Sequence, residues 1–306
     1  MQTHNSWHLQ VMLRLSLIFL LFPLRILAQE NGGFYDYKTA FNNRDRVKSI
    51  SIQCAFDNLR TTDGCNDIPD SIYYFKNLEY LSITETKVKE FPVGINKLSR
   101  LKTIHIGLNY KFNYELELPK LIGIDSLEFL DLWMTDFEKL PSCVSEIKTL
   151  KNVGISFNHQ IDLKNAFQTL SSLPNLKSLN ISGIKSKTIP KNIKLLKGVI
   201  SVELGYLRKI NLKVCLSRLS KLNLKYLNLE NDGIFKLPSQ IGLLTHLVYL
   251  NLGNNYLSEL PDEIYQLKNL RTINLYKSGI DDKQIIEFKK RLPNCNVVFE
   301  PHSYIN

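Results

Sequence analysis

His105 stands 26 residues before Asp131, with Glu203 further along the chain. An imidazole held by a carboxylate is the minimum needed for general-base chemistry. The other parts of a catalytic site do not accompany it: the sequence has no G-x-S-x-G, no H-E-x-x-H, no Walker-type glycine loop and no closely spaced Cys/His set. His105 and Asp131 therefore read as a surface pair, and no catalytic residue, metal site or cofactor is assigned. Five cysteines, at 54, 65, 143, 215 and 295, are the remaining nucleophiles. Cys143, Cys215 and Cys295 fall in apolar stretches, where a thiol behaves as a small hydrophobe. Cys54 and Cys65 form the one close pair, compatible with a local disulfide or with two free thiols.

What positions these residues is a repeat. From Leu224 the chain reads LKYLNLENDGIFKLPSQIGLLTH, and from Leu247 it reads LVYLNLGNNYLSELPDEIYQLKN, two 23-residue units that superimpose position for position. In the second unit Leu250 and Leu252 alternate with Tyr249, Asn251 and Gly253. That period of two gives one short strand buried on a single face. Pro261, with no backbone donor and a fixed φ, ends the strand's return and turns the chain back. Each unit is a coil of strand, turn and return, and a lone coil leaves its strand unpaired. Stability must come from stacked neighbours.

The pattern L-x-x-L-x-L-x-x-N-x-L-x-x-L-P-x-x-I-x-x-L resembles the leucine-rich repeat family in its 23-residue Leu-Pro form, of the kind bacteria export. The resemblance implies an α/β fold: a right-handed solenoid, or horseshoe, with a parallel β-sheet on the concave face and short turns and helices on the convex face. Units open at Val47, Leu78, Leu101, Leu127, Leu150, Leu176, Val199, Leu224, Leu247 and Leu270, so about ten coils fill residues 47–280. Their spacings of 31, 23, 26, 23, 26, 23, 25, 23 and 23 alternate short with long. Short units carry the turn as Phe91-Pro92, Leu140-Pro141, Ile189-Pro190, Leu237-Pro238 and Leu260-Pro261. Long ones carry helical patterns from Leu163 and Leu212, so the outer wall is expected to alternate extended turns with short helices. Asn109, Asn158 and Asn255 hold the ninth position, where in the family the amide bonds the adjacent turn. Thr86, Thr135, Asp232 and Ser278 are partial substitutes there, while Ile184 and Leu207 are not, and the ladder should be weaker around those two.

The ends differ from the repeats. Arg14 precedes an apolar run from Leu15 to Leu24, and Ala28 precedes Gln29, as in a secretory signal peptide over 1–28. The run is too short for a span of about 20 residues, so contact with a membrane is expected only in passing. Residues 29–46, with Tyr37, Ala40 and Phe41 at helical spacing, read as an N-terminal cap. Residues 281–306 read as a C-terminal cap whose Asp281 and Gln284 resemble a capping box. The net charge is +10 overall and +8 without residues 1–28, which hold two arginines and no acid. Export argues against nucleic acid as the partner of that charge.

Outward strand positions stack from coil to coil on the concave side. Among them Phe129, Asp131, Trp133, Met134, Phe157, Tyr206, Tyr226, Tyr249 and Tyr276 form an aromatic-rich candidate binding set, with Trp133 and Met134 expected in one cluster between Phe129 and Phe157. Large aromatics at the centre of a concave surface are typical anchors for a partner. The expected function is non-catalytic protein or peptide binding by a monomer outside the cytoplasm, periplasmic or secreted. The alternatives are a glycan- or envelope-binding structural module and, if 1–28 is not a signal, an intracellular scaffold.

Overall fold

The computed structural model describes residues 41–53, 68, 70–207 and 210–299. Residues 1–28, most of the 29–46 segment, and Cys54 with Cys65 lie outside the described residues. Two compact units divide the chain, Met1–Asn43 and Arg44–Asn306, and the second carries the repeats.

Among the described residues eleven strands form one parallel sheet in sequence order. They are β1 (Ser49–Gln53), β2 (Tyr80–Thr84), β3 (Thr103–Gly107), β4 (Phe129–Asp131), β5 (Asn152–Gly154) and β6 (Ser178–Asn180), followed by β7 (Ser201–Glu203), β8 (Tyr226–Asn228), β9 (Tyr249–Asn251), β10 (Thr272–Asn274) and β11 (Asn296–Val298). Register follows the repeat: Tyr226 pairs with Tyr249 and Tyr249 with Thr272, each residue meeting its own equivalent one coil away. This is the horseshoe solenoid that the spacing implied. The sheet runs one strand past the last Leu-rich unit, since Val297 sits beside Ile273 and is buried.

Leucines of each coil point inward into one continuous core, where Leu247, Leu250 and Leu252 are fully buried. Phe75, Phe91, Phe167 and Phe288 fill the wider parts between strand and outer wall. That wall alternates as expected in the long units, which carry α1 (Tyr114–Glu117), α2 (Leu163–Leu170) and α3 (Leu212–Leu219). Each starts on a side-chain cap: Asn113 accepts from Leu116 N–H, Asp162 from Lys164 and Asn165, Asn211 from Val214. In the short units the expected extended turn is instead a 3-10 turn, as at Ser142–Glu146 and Ser239–Leu243. The reason lies in the proline. Its fixed φ suits the residue before a helical turn, and its carbonyl accepts the first i+3 bond, from Val144 to Pro141 at 3.1 Å and from Ile241 to Pro238 at 3.0 Å.

The C-terminal helix α4 (Asp282–Arg291) closes the core with Ile285 and Phe288. Asp281 accepts from Gln284 N–H at 2.8 Å, but the Gln284 amide reaches forward to Ser258 O rather than back to the cap. Half of the capping box is present, and its other half ties the helix to the preceding coil.

The ninth-position ladder holds where it has amides. Asn255 donates to Leu229 O and Leu252 O and accepts from Asp232 and Ile234 N–H. Asn158 and Asn109 do the same work for the Thr135 and Thr86 turns. Ile184 and Leu207 bring only buried aliphatic groups to that row.

Candidate binding face

Strand side chains opposite the core line the concave face, and three rows of them run across it. In the middle row His105, Asp131, Gly154, Asn180, Glu203, Asn228, Asn251 and Asn274 follow one another coil by coil. His105 Nδ1 lies 3.0 Å from Asp131 Oδ2, with the imidazole ring between Tyr80 and Phe129 at centroid distances of 5.2 and 5.1 Å. Only 8% of Asp131 is exposed. The pair is thus largely covered by the flanking rings, more buried than an ordinary surface pair.

Asp131 occupies this position because Gly154 has no side chain: a Cβ there would come within 2.1 Å of Asp131 Oδ1. Trp133 lies over Gly107 in the same way, its indole Nε1 2.2 Å from where a Cβ would stand. Phe157 lies over Gly183, and its ring meets Tyr206 at 5.7 Å. The expected single cluster of Phe129, Trp133, Met134 and Phe157 is therefore divided. Phe129 belongs with His105, Trp133 lies flat on its neighbour's glycine, and Phe157 joins Tyr206.

Met134, Phe157 and Tyr206 also leave the strand position assigned to them. They adopt left-handed backbone, with φ of 48°, 57° and 67°, as do Glu85, Leu108, Asn231, Asn254 and Lys277 at the same place in other coils. The chain bends out of the sheet there, yet the N–H groups still bond the neighbouring coil: Met134 to Ser156 O and Phe157 to Ser182 O. These side chains stand at the rim of the sheet. Tyr226 and Tyr249 lie side by side within it, half-buried, and the more exposed Tyr276 carries Lys277 Nζ over its ring at 5.2 Å.

Between Phe129 and Tyr226 the strand side chains of this face are smaller. Strands β5 to β7 present Asn152, Gly154, Ser178, Asn180, Ser201 and Glu203, mostly small side chains. With strands about 4.8 Å apart, the floor between the Phe129 coil and the Tyr226 coil is about 19 Å wide. Glu203 stands in that floor. Burial raises its carboxyl to about 7, with the charge of Asp131 adding to the effect. Burial also raises Tyr249, helped by Glu230 and Glu203.

A second ordering device was missed by attention to bulky residues. Asn180, Asn228, Asn251 and Asn274 each accept, through Oδ1, the backbone N–H two residues on, at 2.9, 2.9, 3.0 and 2.9 Å. Their recurrence at the fifth position was visible in the repeat. Glu230 joins the series by accepting from Asn251 Nδ2 at 3.1 Å and from Asn254 Nδ2. Cys215 is fully buried in α3, and burial raises its thiol. Among the described residues no three His, Cys, Asp or Glu side chains converge as a metal ion would require.

The sequence matches the family model of a leucine-rich repeat region over residues 56–222, more than half of the chain. The chain belongs to the leucine-rich repeat family. A second match, to a single leucine-rich repeat, covers residues 246–267. Among solved structures, an internalin from Listeria monocytogenes is 18% identical, with a TM-score of 0.50 over 77% of this chain and 65% of that one. This leucine-rich repeat chain thus spans just under two thirds of that protein. A leucine-rich repeat protein from Leptospira interrogans is 19% identical, with a TM-score of 0.36 over 86% of this chain and 98% of its own. No curated protein matches. At 18% identity the likeness to the internalin is one of fold alone. No helix among the described residues is long and apolar enough to cross a membrane.

Proposed function

We propose that this is a non-catalytic, exported protein, periplasmic or secreted, that binds a protein or peptide on its concave face. The stretch across β5 to β7 carries the proposal: small side chains form its floor, aromatics stand on both sides, and Glu203 gives it a carboxylate. A width of about 19 Å accepts one α-helix, whose diameter with side chains is about 10–12 Å. Glu203, the carboxylate in that floor without an ion-pair partner among the described residues, favours a partner segment bearing Lys or Arg, which would draw it into its charged form. Export rests on the apolar run after Arg14 and the Ala28 junction, and the monomer on the coil-to-coil pairing that gives every strand from β2 to β10 two neighbours.

In a protein beginning at Gln29, Trp133 is the only tryptophan, because the other is Trp7. Affinity capture from envelope and culture fractions with that protein, beside a Trp133→Ala, Tyr249→Ala double variant of unchanged circular dichroism, tests the reading. A partner lost with the double variant, whose titration also shifts Trp133 fluorescence in the unaltered protein, supports it. Equal capture by both proteins refutes it. One observation favours a glycan-binding module as the second reading: Phe235 and Tyr256 stack at 5.1 Å and 21° while 70% and 65% exposed, an aromatic surface outside the sheet.

A further inference from the structure

The loops leading into β8, β9 and β10 form a cleft of about 480 Å³ lined by Asn223, Lys225, His246, Val248, Asn269 and Arg271. These are the same two positions of three consecutive coils, so the lining is a product of the stacking. Two cations and an imidazole face it, and no carboxylate does. The volume lies in the range of small-molecule sites, about 300–1,000 Å³.

The same edge behaves differently nearer the N-terminus. There the second positions of neighbouring coils alternate in charge and pair, Lys102 with Glu79 at 2.7 Å and Lys151 with Glu128 at 2.6 Å. From Lys177 onward those positions read Lys177, Ile200, Lys225, Val248 and Arg271, without an acid. Among the described residues neither Lys225 nor Arg271 forms an ion pair. Val248, between them, is short and keeps the cleft open. Asn269 helps hold its rim by donating to Thr245 O at 2.9 Å, as Asn175 does to Lys148 O four coils further back in the same row. Lys225 and Arg271 stand two coils apart, about 10 Å along the ladder, and an anion placed between them is attracted by both.

We propose that this cleft binds a phosphate or sulfate ester, with Arg271 offering its planar fork to two of the oxygens and Lys225 a point charge opposite, while His246 donates at the side. The site is separate from the concave stretch across β5 to β7 and does not depend on the partner proposed for it. The ester has two sources that share this chemistry, a soluble sugar phosphate or the headgroup of a phospholipid.

Titration calorimetry with inorganic phosphate and glucose 6-phosphate, and sedimentation with phosphatidylglycerol and phosphatidylcholine vesicles, test it on the protein beginning at Gln29. The variants are Lys225→Ala with Arg271→Ala and, as a control of equal charge, Lys191→Ala with Lys194→Ala; all four side chains are exposed. Loss of two charged donors should weaken binding about tenfold or more, and the control should lose less than about twofold. Saturable binding of the soluble esters with that pattern assigns a soluble ligand. Binding confined to phosphatidylglycerol vesicles with the same pattern assigns a headgroup. Equal losses in the two double variants, or no binding to any probe, overturn the proposal, and neither result bears on capture through Trp133 and Tyr249.

Discussion

Asp232→Asn should make the protein more stable, by a margin that grows as pH rises from about 4 to about 8. Asp232 holds the ninth position of its coil, the place where Asn255 donates to two carbonyls and accepts from two N–H groups. Asp232 Oδ1 accepts from Leu207 N–H at 2.6 Å, but its Oδ2 is buried with no partner. By the repeat, that oxygen stands where Asn255 places its donor amide, facing the Leu204 carbonyl and the Leu229 carbonyl that Asn255 already bonds. Burial accordingly raises its carboxyl from 3.8 to about 8, against the lowering effect of the Leu207 bond. Between those values the folded protein holds a proton that the unfolded chain has released, so stability falls as pH rises from about 4 to about 8 and is level beyond. The difference sets a ceiling of about 6 kcal/mol, and relaxation of the coil reduces the expected effect to about 2–4 kcal/mol. Urea unfolding followed by circular dichroism at pH 5 and pH 8.5 measures it. At pH 5 the protonated acid and the amide should differ by less than about 1 kcal/mol, and at pH 8.5 the Asn variant should lead by about 2–4 kcal/mol. Equal stability at pH 8.5, or a gain of the same size at both pH values, refutes the reasoning.

Gly183→Ala meets both a φ of +69° and a Phe157 ring carbon 2.3 Å from the new methyl, and should cost about 2–4 kcal/mol in urea unfolding, part of it returned by Phe157→Ala. Gly107→Ala should lift Trp133 off the sheet, read as a red shift and stronger acrylamide quenching of the single tryptophan in the protein beginning at Gln29. Glu203→Gln should flatten the loss of stability between about pH 4.5 and pH 7, because the raised Glu203 carboxyl contributes a slope of the same sign as Asp232 over that window. Glu117, buried and 5% exposed, accepts from Phe91 N–H at 2.6 Å and pairs with Lys120 at 2.7 Å. Glu117→Ala orphans that buried N–H, while Lys120 keeps Phe91 O at 3.4 Å and solvent, and should cost about 1–3 kcal/mol by the same assay.

The coil, its strand and its inward leucines were legible because period two, period 3.6 and the proline at a fixed place agree with one another. Helices at Leu163 and Leu212 were legible for the same reason. What escaped were the effects of residues that are absent. Gly107, Gly154 and Gly183 carry no side chain to read, yet they decide where Trp133, Asp131 and Phe157 lie, which is why a predicted cluster became three separate groupings. The eighth position looked like one more strand residue, since Met134, Phe157 and Tyr206 are not types that announce a left-handed backbone. Only the stacked bonds of the neighbouring coil hold them there. The cleft at Lys225, His246 and Arg271 combines residues spaced by 21 to 46 positions. It would have emerged from aligning the second position of each unit as carefully as the third and fifth.

The uneven outer wall has a mechanical result. Strand spacing on the inner side is constant, while a coil backed by an α-helix needs more room outside than one backed by a 3-10 turn. Bending therefore concentrates in the stretch where α1, α2 and α3 interleave with 3-10 turns, from Tyr114 to Leu219, and relaxes where the turns at Ser239–Leu243 and Asp262–Gln266 follow each other directly. The floor across β5 to β7 lies inside the bent stretch, held in a stiff arc. The coils from Ser239 to Gln266, each backed by a 3-10 turn, should form the straighter end of the solenoid.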